Sequence, residues 1–269
     1  MIPVKSEGYC PLELNAAIEK VVVDGNRRKY VQLGRPLRFY GGVTSATEVG
    51  CNLRCKFFFS DQPVWKPGRT GRFYAPQEVF QGLDKAARRY GHRLISASAS
   101  EGTMGRRHLT ELLGMVDQSP YVYILETNGM VLGASPSYCE ALTAFKRLHV
   151  RVSIKGCNEE EYHQLTGAQR CSYQLPFEAL RRLIELGVSC NVSATVSFSE
   201  KGAVEELKQR LFEVHPGLLK SMEQETITLF PKVAQRLAKE ELKPVKVKML
   251  GFGRSKAAKR REASYAHHG

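Results

Sequence analysis

The sequence predicts an α/β fold in which parallel strands alternate with helices. Three observations carry that prediction. Short β-branched runs recur along the chain, and segments with helical period separate them. The strand runs are nearly continuous in apolar character, as expected where both faces of a sheet are covered. The 269 residues suffice for a single α/β domain of barrel size with its own core.

The candidate strands are Val43–Val49, Arg93–Ala97, Tyr121–Glu126, His149–Lys155, Val188–Val196 and Thr226–Phe230. After Pro76, a good first-turn residue, Val79, Phe80, Leu83, Ala87 and Tyr90 share one helical face. Leu109, Leu112, Leu113 and Val116 form the next stripe. Ser135 as N-cap and Pro136 open a third helix, with Tyr138, Leu142 and Phe145 inward. Phe177, Leu180, Leu183 and Ile184 form a fourth, which Gly187 stops. Val204, Leu207, Leu211 and Val214 make a fifth ended by Pro216, and Pro231 starts a sixth with Val233 and Leu237. Six such units give an open partial barrel or a doubly wound sheet. Either way the chemistry belongs at the C-terminal ends of the strands.

Composition narrows the class. Hydrophobic residues at 42% and charged residues at 25% read as globular. No apolar run approaches the length of a membrane span, and the first residues carry no signal-peptide pattern, so the expected compartment is the cytoplasm. Seven cysteines, five of them scattered singly, make a poor disulfide framework and suit a reducing compartment. The formal net charge of +13 favours anionic partners, nucleic acid among them. Part of it sits in a basic tail at about 252–269, with Arg254, Lys256, Lys259, Arg260 and Arg261. Its plainest reading is a solvated, disordered segment.

Only Cys51 and Cys55 stand close enough to share a metal, after the first strand in Gly50-Cys51-Asn52-Leu53-Arg54-Cys55-Lys56-Phe57-Phe58. Two nearby thiols alone are a weak signal. The stretch resembles the cluster loop of the radical S-adenosylmethionine (SAM) superfamily, with its C-x3-C-x2-C pattern. The preceding glycine and the Asn-Leu-Arg between the cysteines match as well. After the second strand, Ser98-Ala99-Ser100-Glu101-Gly102 resembles that family's Gly-Gly-Glu-Pro turn. Ala99 and Ser100 replace the glycines and Gly102 the proline, so a positive φ there would cost the backbone energy. Glu126-Thr127-Asn128-Gly129, after the third strand, resembles an element of the organic radical-activating and molybdenum cofactor branches. Considered alone, these last two stretches are also ordinary turns.

The resemblance spans about residues 35–232, within one domain over 1–269 that has an N-terminal extension at 1–34. It points to archaeal-type proteins related to molybdenum cofactor biosynthesis protein A and pyruvate formate-lyase activating enzyme, with Gly41-Gly42 and Trp65 in keeping. It implies a partial (β/α)6 TIM-like barrel. It also implies an oxygen-sensitive [4Fe–4S] cluster, SAM as cosubstrate, and an electron donor such as a flavodoxin or ferredoxin. Cys51 and Cys55 align with the first two cluster ligands, and Phe58, which has no lone pair for iron, stands at the third. Ser98, Ala99, Ser100, Glu101, Glu126, Asn128, Ser153 and Lys155 are then the expected SAM-binding residues. Arg151, Ser153 and Lys155 share one face of the fourth strand by alternation.

Three functions follow as alternatives. One is a radical SAM enzyme of unknown substrate, with the third ligand supplied by Cys10, another thiol, a small molecule or a partner. A second is a non-catalytic relative that binds or regulates, and a third is a nucleic-acid-binding protein.

Overall fold

The β-branched runs pair as parallel strands because each is followed by an amphipathic helix that returns the chain to the same edge. The computed structural model describes residues 8–248, so the basic tail at about 252–269 lies outside the described residues. Among them, six strands run parallel in chain order. They are β2 (Val43–Glu48), β3 (Leu94–Ser98), β4 (Val122–Thr127), β5 (Leu148–Lys155), β6 (Cys190–Thr195) and β7 (Glu223–Glu225). The order makes a partial (β/α)6 barrel. The predicted helices form at Pro76–Tyr90 (α3), Arg106–Asp117 (α4), Pro136–Leu142 (α6), Leu175–Glu185 (α8), Lys201–Val214 (α9) and Pro231–Lys239 (α10). Ser135 holds the N-cap position of α6, but its side chain accepts no capping bond.

Two strands differ from the expectation. The sixth parallel strand is Glu223–Glu225 and not Thr226–Phe230, where Ile227–Thr228 instead pairs with Val247–Lys248. Glu223 and Glu225 reach the buried Arg151, so their charge draws this segment into the sheet. The apolar run beyond it leaves the sheet before Pro231. The fifth strand starts at Cys190, because Val188 still closes the end of α8 through its amide on the Leu183 carbonyl. The sequence also gave no warning of three elements: α1 (Pro11–Val22), α7 (Glu159–Thr166) and the long strand β1 (Arg27–Leu37), antiparallel to β2. Short helices α2 (Gln62–Trp65) and α5 (Met130–Ala134) follow the first and third parallel strands.

The two faces of the sheet differ sharply. Tyr123, Leu125, Val150, Val152, Ile154, Val192 and Ala194 join the helices in the core. The alternate positions, from Ser96 and Ser98 through Glu126, Arg151, Ser153 and Lys155 to Glu223 and Glu225, make a polar inner face. A barrel interior normally packs branched apolar side chains. This one is lined for polar contacts.

On the outer side β1 contributes Arg28, which is 1% exposed. Its guanidinium pairs with the equally buried Glu48 at 2.8 Å. It also donates to the carbonyls of Glu101, Gly102 and Met104 at 2.6, 3.1 and 2.9 Å. Beside it the Tyr30 hydroxyl meets His108 at 2.9 Å, and burial holds His108 down to about 4. No helix among the described residues is long and apolar enough to cross a membrane.

Two outcomes follow from this junction. Arg28→Ala leaves Glu48 buried without its partner, and chemical denaturation should show a loss of about 3–5 kcal/mol. Burial, opposed by Arg28, pushes Glu48 from 4.5 up to about 7. Between those values the folded chain keeps a proton that the unfolded chain has released. This site therefore makes stability fall as pH rises through that window. Denaturant midpoints at several pH values should show a shallower fall in Glu48→Gln.

Candidate functional site

The loops after β2, β3 and β4 meet at the C-terminal end of the barrel, and one carboxylate joins them. Glu101 Oε1 accepts from the Thr103 amide (3.1 Å), the Thr103 hydroxyl (2.6 Å) and the Thr127 hydroxyl (2.5 Å). Its Oε2 accepts from the Asn128 amide at 2.9 Å. The Glu101 amide in turn donates to the Gly50 carbonyl. Glu101 is thus a structural joint with its acceptor sites engaged.

Gly50 and Gly102 permit the close approach. Gly50 has φ +97, and a Cβ there would lie 2.9 Å from Ile18 of α1. A Cβ on Gly102 would lie 2.6 Å from the Glu126 carbonyl, which also accepts the Gly102 amide. Proline would lose that bond, so glycine at this departure from the family pattern suits the local packing.

Cys51 and Cys55 both lie buried in the first loop. Burial, with Glu101 adding, pushes the Cys51 thiol up to about 12. Burial also raises Cys55, although the Lys155 ammonium works against it. Lys155, at the end of the fourth parallel strand, thus acts on a thiol in the loop after the first. Its Nζ donates to Ser153 at 2.5 Å, so these two expected residues stand together. Asn128 reaches the same loop. Its side-chain Nδ2 lies 3.9 Å from Cys51 Sγ and donates to Asn52 Oδ1 at 2.6 Å. The buried Asn52 Nδ2 has no hydrogen-bond partner.

Ser98 Oγ lies 2.8 Å from Ser45 Oγ, and Ser100 Oγ donates to the Glu48 carbonyl at 2.9 Å. Glu126 points along the inner face, where burial raises it and the Tyr40 hydroxyl donates to it at 2.9 Å. Deeper in that face Arg151 pairs with Glu225 at 2.5 Å and Glu223 at 3.1 Å. Burial opposes the ionised form of Glu225, but Arg151 and Lys155 outweigh it and hold the carboxyl at about 2.

The cluster loop departs from a three-thiolate site. The Phe58 amide donates to the Cys55 carbonyl at 3.1 Å, and the Phe58 carbonyl accepts from Arg236 of α10. Phe58 is packed against the core. Among the described residues no three His, Cys, Asp or Glu side chains are grouped to hold a metal, so Cys10 does not complete such a group with Cys51 and Cys55. The residues present do not fit a cluster held by three cysteines of this chain. A polar organic ligand fits better, since Lys155 and the orphaned Asn52 amide offer it donors. Asn52, Tyr40, Glu223 and Glu225 also line this region, and no sequence motif marks them as site residues. The Glu-Gln-Glu alternation at 223–225 was the available signal for the last two.

Ala99 adopts φ +72, the left-handed region that a side chain disfavours by about 1–2 kcal/mol. Ala99→Gly should therefore raise the stability by about 1 kcal/mol, read as a higher denaturant midpoint at unchanged slope.

The family model of the radical SAM superfamily matches residues 47–208, more than half of the chain. No curated protein sequence matches significantly. Among solved structures, Streptococcus suis SuiB bound to S-adenosylmethionine is similar at 15% identity with a TM-score of 0.54, over 81% of this chain and 44% of SuiB. A spore photoproduct lyase double mutant with bound AdoMet and dinucleoside spore photoproduct is similar at 15% identity with a TM-score of 0.53, over 82% of this chain and 71% of the lyase. Native anSMEcpe with bound AdoMet and Cp18Cys peptide gives 16% identity and a TM-score of 0.50, over 70% and 52%. The chain spans less than half the length of SuiB. Those likenesses show the fold, and the family model covers the loops that build the site. With its strands, its turns and two of its cysteines in the family's order, this chain belongs to the radical SAM superfamily.

Proposed function

We propose that this protein binds S-adenosylmethionine at the C-terminal ends of β3, β4 and β5, and that its reductive cleavage of that ligand is impaired. The observation that carries the reading is Phe58 at the third ligand position, with no third metal-binding side chain grouped with Cys51 and Cys55 among the described residues. In this family the bound cluster supplies the electron that breaks a carbon–sulfur bond of SAM. Here Cys51 and Cys55 would supply two thiolates once deprotonated, so a complete cluster would need a ligand from outside this set.

The chain's own residues have plainer roles. Lys155, oriented by Ser153, would receive the carboxylate of the ligand, and the free Asn52 amide would donate beside it. The backbone of Ser98, Ala99 and Ser100 would face its amino group. Glu101 and Asn128 would hold the loops in register. Glu126 and the ion pairs of Arg151 would line the space for a polar substrate.

A second reading is a non-catalytic relative that binds or regulates on the same scaffold. The left-handed Ala99 and the fully engaged Glu101 favour it.

Anaerobic reconstitution with iron and sulfide, beside Phe58→Cys, tests both readings. Iron content, the reduced EPR spectrum with and without SAM, and 5′-deoxyadenosine are measured, with calorimetric SAM binding to the protein before reconstitution. The parent should bind SAM, hold a labile substoichiometric cluster and form little 5′-deoxyadenosine, while the variant should hold a stable one. A full SAM-responsive cluster in the parent would overturn the impairment. Failure of both proteins to hold iron would leave the non-catalytic reading.

A further inference from the structure

The chain's single tryptophan, Trp65, ends the short helix after the cysteine loop and is 38% exposed. Two guanidinium groups stand against its ring. Arg54, from between the two cysteines, lies 5.8 Å from the ring centre, and Arg236 of α10 lies 5.9 Å from it. Two further exposed aromatic residues belong to the segments that meet here through Arg236 and Asp61, Phe59 at 54% and Phe230 at 41% exposure. Phe59 follows the residue whose carbonyl receives Arg236, and its ring lies 4.8 Å from that of Phe58. Phe230 opens α10, whose Lys232 pairs with Asp61 at the start of α2. Exposure on this scale means that the three rings do little for the core.

The rim is also cationic. Its carboxylates are engaged, Asp61 by Lys232 and Arg236 and Glu240 by Lys56. Arg54, Lys66 and Arg69 form no ion pair among the described residues, and the last two are exposed on the turn that follows Trp65. Arg54 instead donates to the backbone carbonyls of Cys51 and Leu53, which fixes its charge beside the indole.

We propose that this rim binds single-stranded nucleic acid, with bases stacked on Trp65, Phe59 and Phe230 and phosphates on Arg54, Lys66 and Arg69. Stacking platforms interleaved with cations are the chemistry that single strands require, because every unpaired base offers a π-face and every linkage a negative charge. A duplex hides its base faces, and an acidic peptide would use the cations while leaving the rings exposed. The net charge of +13 adds long-range attraction of the same sign. Arg54 lies between Cys51 and Cys55, so a bound strand would lie at the mouth of the barrel. This inference stands whether or not a cluster assembles, and its failure would leave the reading of the cysteine site untouched.

The test uses the full chain and a fluorescein-labelled oligodeoxythymidylate of about 12 nucleotides, with an oligouridylate of equal length beside it. Label anisotropy gives affinity, and unlabelled oligonucleotide is titrated against the emission of Trp65. At least one of the two strands should quench Trp65 saturably. Its affinity should fall more than about tenfold between about 50 and about 200 mM salt. Trp65→Ala and Phe59→Ala should each weaken binding about tenfold by anisotropy. Phe59→Ala and Phe230→Ala remove exposed rings, so circular dichroism should show both folded. The proposal is overturned if neither strand quenches Trp65, or if polyphosphate or a duplex of equal length binds as tightly. Unchanged affinity in all three aromatic variants would equally overturn it, because the binding would then rest on cations elsewhere.

Discussion

A guanidinium taken fully out of water must find partners for its charge, and the way Arg28 finds them organises the end of the barrel that carries the site. It neutralises Glu48 at the end of β2 and donates to three carbonyls of the loop after β3. An unpaired buried charge would cost several kcal/mol, so these contacts hold that loop in one conformation. The loop then presents Glu101 to the amides and hydroxyls of Thr103, Thr127 and Asn128. A strand outside the parallel set thus fixes three loops that belong to it. The left-handed Ala99 persists in this setting, since its neighbours on both sides are held by side-chain bonds.

On the proposed reading, the same end of the barrel suits a polar ligand better than iron. Two thiols lie buried with their protons favoured, and the residue where a third would stand is a partly buried phenyl ring packed against the core. Metal binding would have to displace both protons and recover the cost of burying charge. The inner face points the other way. Arg151, Glu223, Glu225, Lys155, Ser153 and Glu126 keep charges and hydroxyls where a plain barrel would pack aliphatic side chains. That face resembles a binding site more closely than a filled core, which is why binding and impaired cleavage are compatible readings of one chain.

Much of the fold was legible. The runs at 43–49, 93–97, 121–126 and 149–155 all became parallel strands to within a residue or two, because their partners are each other and their covers are the helices between them. Gly187 stops α8 in the left-handed conformation expected of it. The strand at 223–225 was not legible as such, because two glutamates in three residues look like surface until Arg151 is seen opposite. Nor was β1, most of which falls in the stretch that the sequence marks only as an N-terminal extension at 1–34. Of the candidate site, the family resemblance singled out Cys51, Cys55, Glu101, Asn128 and Lys155, and the structure brings them together at one end of the barrel. Nothing in the sequence hinted that Glu101 would be spent on neighbouring loops, or that Lys155 would act on Cys55.

The sequence by itself determined the alternation of strand and helix, the order of the loops and the missing third cysteine. Those depend on residue identity and on periods of two and 3.6, which are local properties. Only the tertiary structure decided which charges are buried, which carboxylate is a joint, and which aromatic rings stay in solvent beside arginines. Desolvation and pairing depend on what lies across space, and residues as distant in the chain as Arg28 and Glu101, or Trp65 and Arg236, meet only once the barrel has formed.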